Sequence, residues 1–141
     1  MTTVATSTRP TTSAIWRNGL LATAVSAVVN AVLYLVGSAL GGFPSDVITP
    51  LGYPVTLVPV LVMSIVPVLL GTLAYWLLTR FTDRANRWFI ILVAVVFVAM
   101  FFGPPDLRSA GAPMLMVVLL EVMHVVTAGA AIYFLTRSSS V

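Results

Sequence analysis

The sequence predicts an all-α membrane protein, a bundle of four transmembrane helices with both termini in the cytoplasm. Of its 141 residues, 60% are hydrophobic and 8% are charged, whereas a soluble domain carries about 25% charged residues. Four long apolar runs are separated by short segments rich in Pro, Gly or Arg. Most of the arginines fall on one side of these runs, which is typical of the cytoplasmic side of a membrane protein.

The predicted elements follow the apolar runs in order. Residues 1–14, rich in Thr and Ser, predict a disordered tail. Residues 15–137 form one transmembrane domain, and residues 138–141 form a short polar tail. The predicted spans are 17–40, 55–78, 88–102 and 114–135.

The first span has a second interpretation as a secretory signal, because Arg9 and Arg17 precede it as a basic region would. Its apolar stretch of about 20 residues exceeds the length of a signal core, and this favours a retained helix. The third span is the shortest, at about 15 residues, so Asn86 and Gly103 are expected near the interfaces, or the bilayer thins locally. This span has no polar residue and is expected to be either the most lipid-exposed helix or a helix that serves only in packing.

The charge distribution predicts the orientation. The outer side holds only Arg108, and all three tryptophans lie beside inner arginines, as an aromatic belt would place them. The inner arginines are Arg9, Arg17, Arg80, Arg84, Arg87 and Arg137. We therefore expect a multi-pass protein of the plasma membrane, in a bacterium the inner membrane.

Composition excludes several kinds of chemistry. The chain has no cysteine, which removes thiolate metal sites, iron–sulfur clusters and disulfide redox chemistry. All seven basic residues are arginines, so no lysine can form a Schiff base. The arginines flank apolar runs and are not interleaved with aromatics in a phosphate-gripping cluster, so no nucleic-acid partner is predicted. No cofactor is predicted either.

A polar layer is predicted at membrane depth. Asn30 is thirteen residues from Arg17, and His124 is thirteen residues from Arg137, so both lie about 20 Å from the inner anchors. The same comparison, made from Arg80, places Ser64 at this level, and it places Tyr34 and Glu121 one turn further out. The complete predicted site is Asn30, Tyr34, Ser64, Glu121 and His124.

Glu121 is the main functional candidate, because ionisable groups at membrane depth normally face the bundle or a water-filled cavity. The structural alternative is a neutral Glu121 that hydrogen-bonds to Tyr34 or Asn30 and ties helices together. For His124, a packing role is the favoured interpretation.

The Glu-x-x-His spacing of Glu121 and His124 also occurs in di-iron bundles, where two copies and two further carboxylates are required. A single copy here lacks those ligands, and a two-fold dimer would still lack the extra glutamates. No metal or haem site is therefore predicted.

Two features bear on packing and motion. Pro67 lies inside the second span and leaves the Met63 carbonyl without its helical donor, and Ser64 is placed to help satisfy it. The kink is either a hinge or a static bend that shapes packing. The first outer loop, residues 41–54, is apolar and rich in Pro and Gly, and is either a tight connection or a cap over the bundle.

The first outer loop reads Phe43-Pro-Ser-Asp46 and continues to Pro50, and the last span contains Met123-His124. With its four spans, the chain resembles a family of small uncharacterised bacterial integral membrane proteins, a domain of unknown function. The resemblance covers nearly the whole chain after residue 14. It implies the topology, and the family has no assigned activity to carry over.

No complete catalytic set is recognisable, so no catalytic residue is predicted. We predict a structural or partner-binding membrane protein that contacts the lipid bilayer and a second copy or another membrane protein. The alternative is a small proton-coupled transporter that uses the Glu121/His124 layer. A membrane enzyme acting on lipid or quinone, with this pair as acid and base, is a third and incomplete interpretation.

Overall fold

A computed structural model of the chain describes residues 9–50, 52–101 and 107–137. Within these ranges the chain folds into four α-helices and no strand, which confirms the predicted all-α class with four helices. Residues 1–8, residues 138–141 and the predicted end of the third span at Phe102 lie outside the described residues. The helices are α1 (Thr12–Ala39), α2 (Leu57–Phe81), α3 (Ala85–Phe101) and α4 (Met114–Thr136), with a 3₁₀ turn (Leu107–Ala110) before α4.

Three of these helices, α1, α2 and α4, are long and apolar enough to cross a membrane. The fourth, α3, is apolar but has only 17 residues, which gives a length of about 26 Å. It begins three residues before the predicted span, so Asn86 and Arg87 belong to its first turn.

Local sequence signals set the ends of α1. At its start, the Thr11 side chain accepts a hydrogen bond from the Ala14 amide, which satisfies one of the free donors of the first turn. At its end, Gly41 adopts a left-handed conformation with φ of 74°, which glycine tolerates without strain. The Gly42 amide then donates to the Gly37 carbonyl at 2.7 Å, the bond that closes a Schellman cap.

Helices that follow each other in the chain pack antiparallel. α1 packs most extensively, against α2 on one side and α4 on the other, and α3 packs against α2 and α4 from the far side. α2 and α4 also touch each other, so they separate α1 from α3 in the described structure. α2 runs without interruption through Pro67.

Close contacts between α1 and its neighbours depend on small residues. A Cβ atom at Gly19 would lie 2.9 Å from the Thr72 Cβ on α2, and one at Gly37 would overlap the Leu119 side chain on α4. Such contacts let helix backbones approach where no hydrophobic effect drives association within lipid.

A buried apolar cluster joins all four helices at the inner end, the end where α1 begins and α4 ends. The rings of Tyr75 and Phe89 meet edge to face with centroids 5.1 Å apart, a favourable arrangement for aromatic pairs. The buried members are Ile15, Tyr75, Ala85, Phe89, Ala131 and Leu135. Both buried residues of α3, Ala85 and Phe89, belong to this cluster, so α3 is attached mainly through its first turns.

The first outer loop folds back onto the bundle at the opposite end. Val47 is buried and packs with Leu107, Met116 and Val117, and Phe43 packs against the same cluster. The loop therefore covers the outer end of α4 as a cap, the second of the two forms that its sequence allowed.

Candidate functional site

Asn30 is the centre of the polar interior. It lies on the buried face of α1 with 2% of its surface exposed. Its Nδ2 donates to Ser64 Oγ on α2 at 2.8 Å and to Thr127 Oγ1 on α4 at 3.0 Å. The Met123 carbonyl on α4 lies 3.4 Å from the same nitrogen. One amide therefore joins three helices at membrane depth.

The two hydroxyl partners are oriented by their own helices. Ser64 Oγ donates to the Val60 carbonyl at 2.7 Å, and Thr127 Oγ1 donates to the Met123 carbonyl at 2.9 Å. Each hydroxyl oxygen is therefore left as an acceptor for Asn30. The Ser64 hydroxyl serves Val60, and not the Met63 carbonyl that Pro67 leaves without a helical donor.

Three buried polar atoms on α1 lack hydrogen-bond partners in the described structure. They are Asn30 Oδ1, Ser26 Oγ one turn before it, and Ser38 Oγ two turns after it. A buried polar atom without a partner costs about 1–3 kcal/mol. The Asn30 amide is thus satisfied through its nitrogen and unsatisfied through its oxygen.

Glu121 lies on α4 and is half-buried, with both carboxylate oxygens shielded from solvent. Neither oxygen has a hydrogen-bond partner among the described residues. The hydrogen bond to Tyr34 or Asn30 that the structural alternative requires is therefore not formed. Glu121 precedes His124 by three residues, so the two side chains lie on the same side of α4.

His124 is half-buried, and its Nδ1 lies 2.6 Å from the Leu120 carbonyl of its own helix. Because a carbonyl oxygen only accepts, Nδ1 carries the proton in this bond. The other ring nitrogen, Nε2, has no hydrogen-bond partner within the described ranges.

Tyr34 contacts the outer cap. Its ring lies against Phe43 of the first outer loop, with centroids 5.0 Å apart and planes inclined by 36°. Of the five predicted site residues, the structure joins Asn30 to Ser64, places Glu121 and His124 on the same side of α4 without a hydrogen bond between them, and places Tyr34 against the cap. The layer is thus divided into separate groups.

The pair on α4 could supply two ligands to a metal ion, the Glu121 carboxylate and the His124 Nε2. No group of three or more His, Cys, Asp or Glu side chains comes together in the part of the chain that the structure describes. A proton or a hydrogen-bond donor is the simplest species that two such groups can bind.

Sequence reasoning missed two residues that carry polar contacts. Thr127 accepts a hydrogen bond from Asn30. The sequence feature that could have identified it is its position three residues after His124, at a similar depth. Asn86 accepts from Tyr75 Oη at 2.6 Å and donates to the Thr136 carbonyl at 3.3 Å. The signal for Asn86 was an amide in the first turn of an otherwise apolar helix.

A model of a protein family of unknown function, DUF6069, matches residues 10–141. The chain therefore belongs to this family, which agrees with its resemblance to an uncharacterised family. No curated protein and no solved structure matches the chain.

Proposed function

We propose that this member of a family of unknown function is a four-span protein of the plasma membrane, in a bacterium the inner membrane, with both termini in the cytoplasm. The distribution of arginines supports this orientation. Contacts between the N-terminal segment and the α2–α3 region support the placement of both on the same side of the membrane, because Arg9 forms an ion pair with Asp83 and Trp76 Nε1 donates to Thr12. In this proposal α3 crosses as well, and its length of about 26 Å is accommodated by local thinning of the bilayer.

Single-cysteine variants test the topology, since the natural chain has no cysteine to give background labelling. We expect a membrane-impermeant maleimide added to intact cells or spheroplasts to label Ser45→Cys and Ala110→Cys, and to label Ser13→Cys only after permeabilisation. All three positions are exposed. Labelling of Ala110→Cys only after permeabilisation would mean that α3 does not cross.

Within this topology, the role is structural or partner-binding. One observation carries this conclusion, the Asn30 amide that fastens α1, α2 and α4 together at membrane depth. Interhelical hydrogen bonds of this kind hold a bundle in one arrangement. The partner is a second copy of the chain or another membrane protein, and native mass spectrometry from mild detergent distinguishes a dimer from a monomer.

Distance measurements test whether the bundle has one state. Spin labels at Thr56→Cys and Val98→Cys report the separation of α2 and α3 at the outer end, where both residues are exposed. We expect one distance distribution in liposomes at pH 5.5 and at pH 8. A second population that grows with pH or with a proton gradient would contradict a structural role.

That second outcome would favour a small proton-coupled transporter. The observation behind this alternative is the Glu121 carboxylate, which has no hydrogen-bond partner among the described residues although it lies at membrane depth. Ionisable groups in such places commonly serve proton relays. The alternative predicts pH-dependent proton movement in liposomes that Glu121→Gln abolishes, and flux that is unchanged in this variant would exclude it.

A further inference from the structure

Positive charge is concentrated at the inner end of the bundle and is poorly compensated there. Six arginines lie at this end, and the acidic residue beside them, Asp83, is paired with Arg9. Both partners of that pair are well exposed, with 60% and 84% of their side-chain surfaces accessible. The other five arginines have no carboxylate partner in the described structure.

These five arginines fall into two groups. Arg80 lies over the Trp76 ring at 5.1 Å, and Arg137 lies over the Tyr133 ring at 4.8 Å. Arg84 and Arg87 are exposed, and no hydrogen bond or ion pair of their side chains is found among the described residues. The Arg17 side chain likewise has no hydrogen bond or ion pair among the described residues. It lies on α1, however, which does not contact α3 in the described structure.

Asn86 lies between the two free arginines, Arg84 in the α2–α3 turn and Arg87 in the first turn of α3. Its side chain bonds both to Tyr75 on α2 and to the Thr136 carbonyl at the end of α4. Arg87 follows Asn86 directly, and Arg137, which donates to Tyr133 Oη, follows Thr136 directly. One amide therefore holds together the backbone positions from which Arg87 and Arg137 start, and Arg84 precedes Asn86 by two residues.

We propose that Arg84, Arg87 and Arg137 form a binding site for the phosphate headgroup of an anionic phospholipid. A guanidinium forms bidentate, charge-assisted hydrogen bonds with phosphate oxygens and keeps its charge in a poorly hydrated interface. Both Arg84 and Arg87 lie at the N-terminal end of α3, where the helix dipole adds to the positive potential.

The apolar surface beside the arginines identifies the occupant as a lipid and not as free phosphate. Trp88 follows Arg87 and is 52% exposed, and Ile91, Leu92 and Val95 continue the exposed apolar surface along α3. Tryptophan prefers the level of the headgroups. Acyl chains along this surface would place the attached phosphate beside the arginines.

This site rests on the proposed membrane location but not on which end faces the cytoplasm. Its test is a titration of the full chain in neutral detergent with phosphatidylglycerol or phosphatidylcholine, with bound lipid counted by native mass spectrometry. We expect the wild-type protein to prefer phosphatidylglycerol. Equal affinity for both lipids would overturn the proposal even if cysteine labelling confirms the topology, so the two failures are distinguishable.

Two charge variants locate the site. The double variant Arg84→Gln/Arg87→Gln should weaken phosphatidylglycerol binding about 30-fold, since each arginine near an anionic lipid surface contributes about 1 kcal/mol. Arg108→Gln, a neutralisation at the opposite end, should change it less than about 2-fold. Equal losses in both variants would mean that net charge alone attracts the lipid, and would overturn a defined site.

Two further measurements complete the test. The variant Arg84→Lys/Arg87→Lys keeps the positive charge, and circular dichroism should show the helix content of the wild-type protein. We expect it to bind several-fold more weakly than wild type, because lysine cannot form the bidentate bonds, and wild-type affinity would overturn the arginine-specific geometry. Millimolar inorganic phosphate should not displace the lipid, whereas displacement would assign the site to free phosphate.

Discussion

Replacing Asn30 with alanine removes the polar connection between α1, α2 and α4. Its Nδ2 carries two protons, so the contacts to Ser64 at 2.8 Å and Thr127 at 3.0 Å are the effective bonds, and the Met123 carbonyl at 3.4 Å shares one of them. Interhelical hydrogen bonds in membrane proteins contribute about 0.6 kcal/mol on average. Two bonds therefore contribute about 1.2 kcal/mol.

Two further terms oppose each other in the Asn30→Ala variant. The truncation leaves a small cavity, which costs additional free energy. Removal of Asn30 Oδ1, which has no partner, relieves the cost of an unsatisfied buried acceptor. Ser64 and Thr127 keep their own donor bonds to backbone carbonyls, so neither hydroxyl loses the acceptor for its proton. We expect a net loss of unfolding free energy of about 1–2 kcal/mol.

Reversible unfolding in mixed detergent and lipid micelles measures this loss, and double-mutant cycles separate its parts. Asn30→Ala combined with Ser64→Ala, and separately with Thr127→Val, should each give a coupling energy of about 0.6 kcal/mol. Asn30→Leu keeps most of the volume and should be less destabilising than Asn30→Ala. Coupling energies near zero in both cycles would refute the view that this amide joins the helices.

Three other substitutions have expected outcomes that the same unfolding assay can check. Gly19→Val should destabilise the bundle by about 2 kcal/mol or more, a typical cost of overpacking, because a Cβ there meets Thr72. Gly129→Val should have little effect, because a Cβ there lies in open space. Equal effects of the two substitutions would contradict the close α1–α2 contact. Glu121→Leu should raise the free energy of unfolding by about 1–2 kcal/mol, because it removes two buried oxygens that have no hydrogen-bond partner among the described residues. A lower free energy of unfolding would mean that the carboxylate stabilises the bundle. Asn86→Ala should lower stability by about 1 kcal/mol and speed hydrogen exchange in the first turns of α3, and unchanged exchange would contradict its role as a link.

Much of the fold could be predicted from the sequence, because helix number in a membrane depends on the length of apolar runs. The depth of each residue along its helix could also be predicted, because the rise per residue of an α-helix is constant. Asn30 and Ser64 were placed at the same level by counting from Arg17 and Arg80, and they form a 2.8 Å hydrogen bond. The Gly41-Gly42 pair similarly marked the end of α1.

The rotation of each helix about its axis could not be predicted in this way. Met123 and Thr127 are four residues apart on α4 and face α1, where Asn30 meets them. Glu121 precedes Met123 by two residues and so points about 200° around the helix from it. Similar depth therefore did not bring Glu121 to Tyr34 or Asn30, and a single sequence contains no signal for which face of α4 meets α1.

The unequal attachment of the helices narrows the places where a functional motion can occur. α1, α2 and α4 share the Asn30 amide at mid-depth. Small-residue contacts also join α1 to α2 at Gly19 and α1 to α4 at Gly37. α3 has buried residues only in its first turns, and its later residues, 94 to 101, are exposed apart from Phe97. Regions with few buried contacts open at low free-energy cost. If the chain has a second state, its most accessible form is therefore a displacement of the outer half of α3, pivoting at Asn86, with the other three helices unchanged.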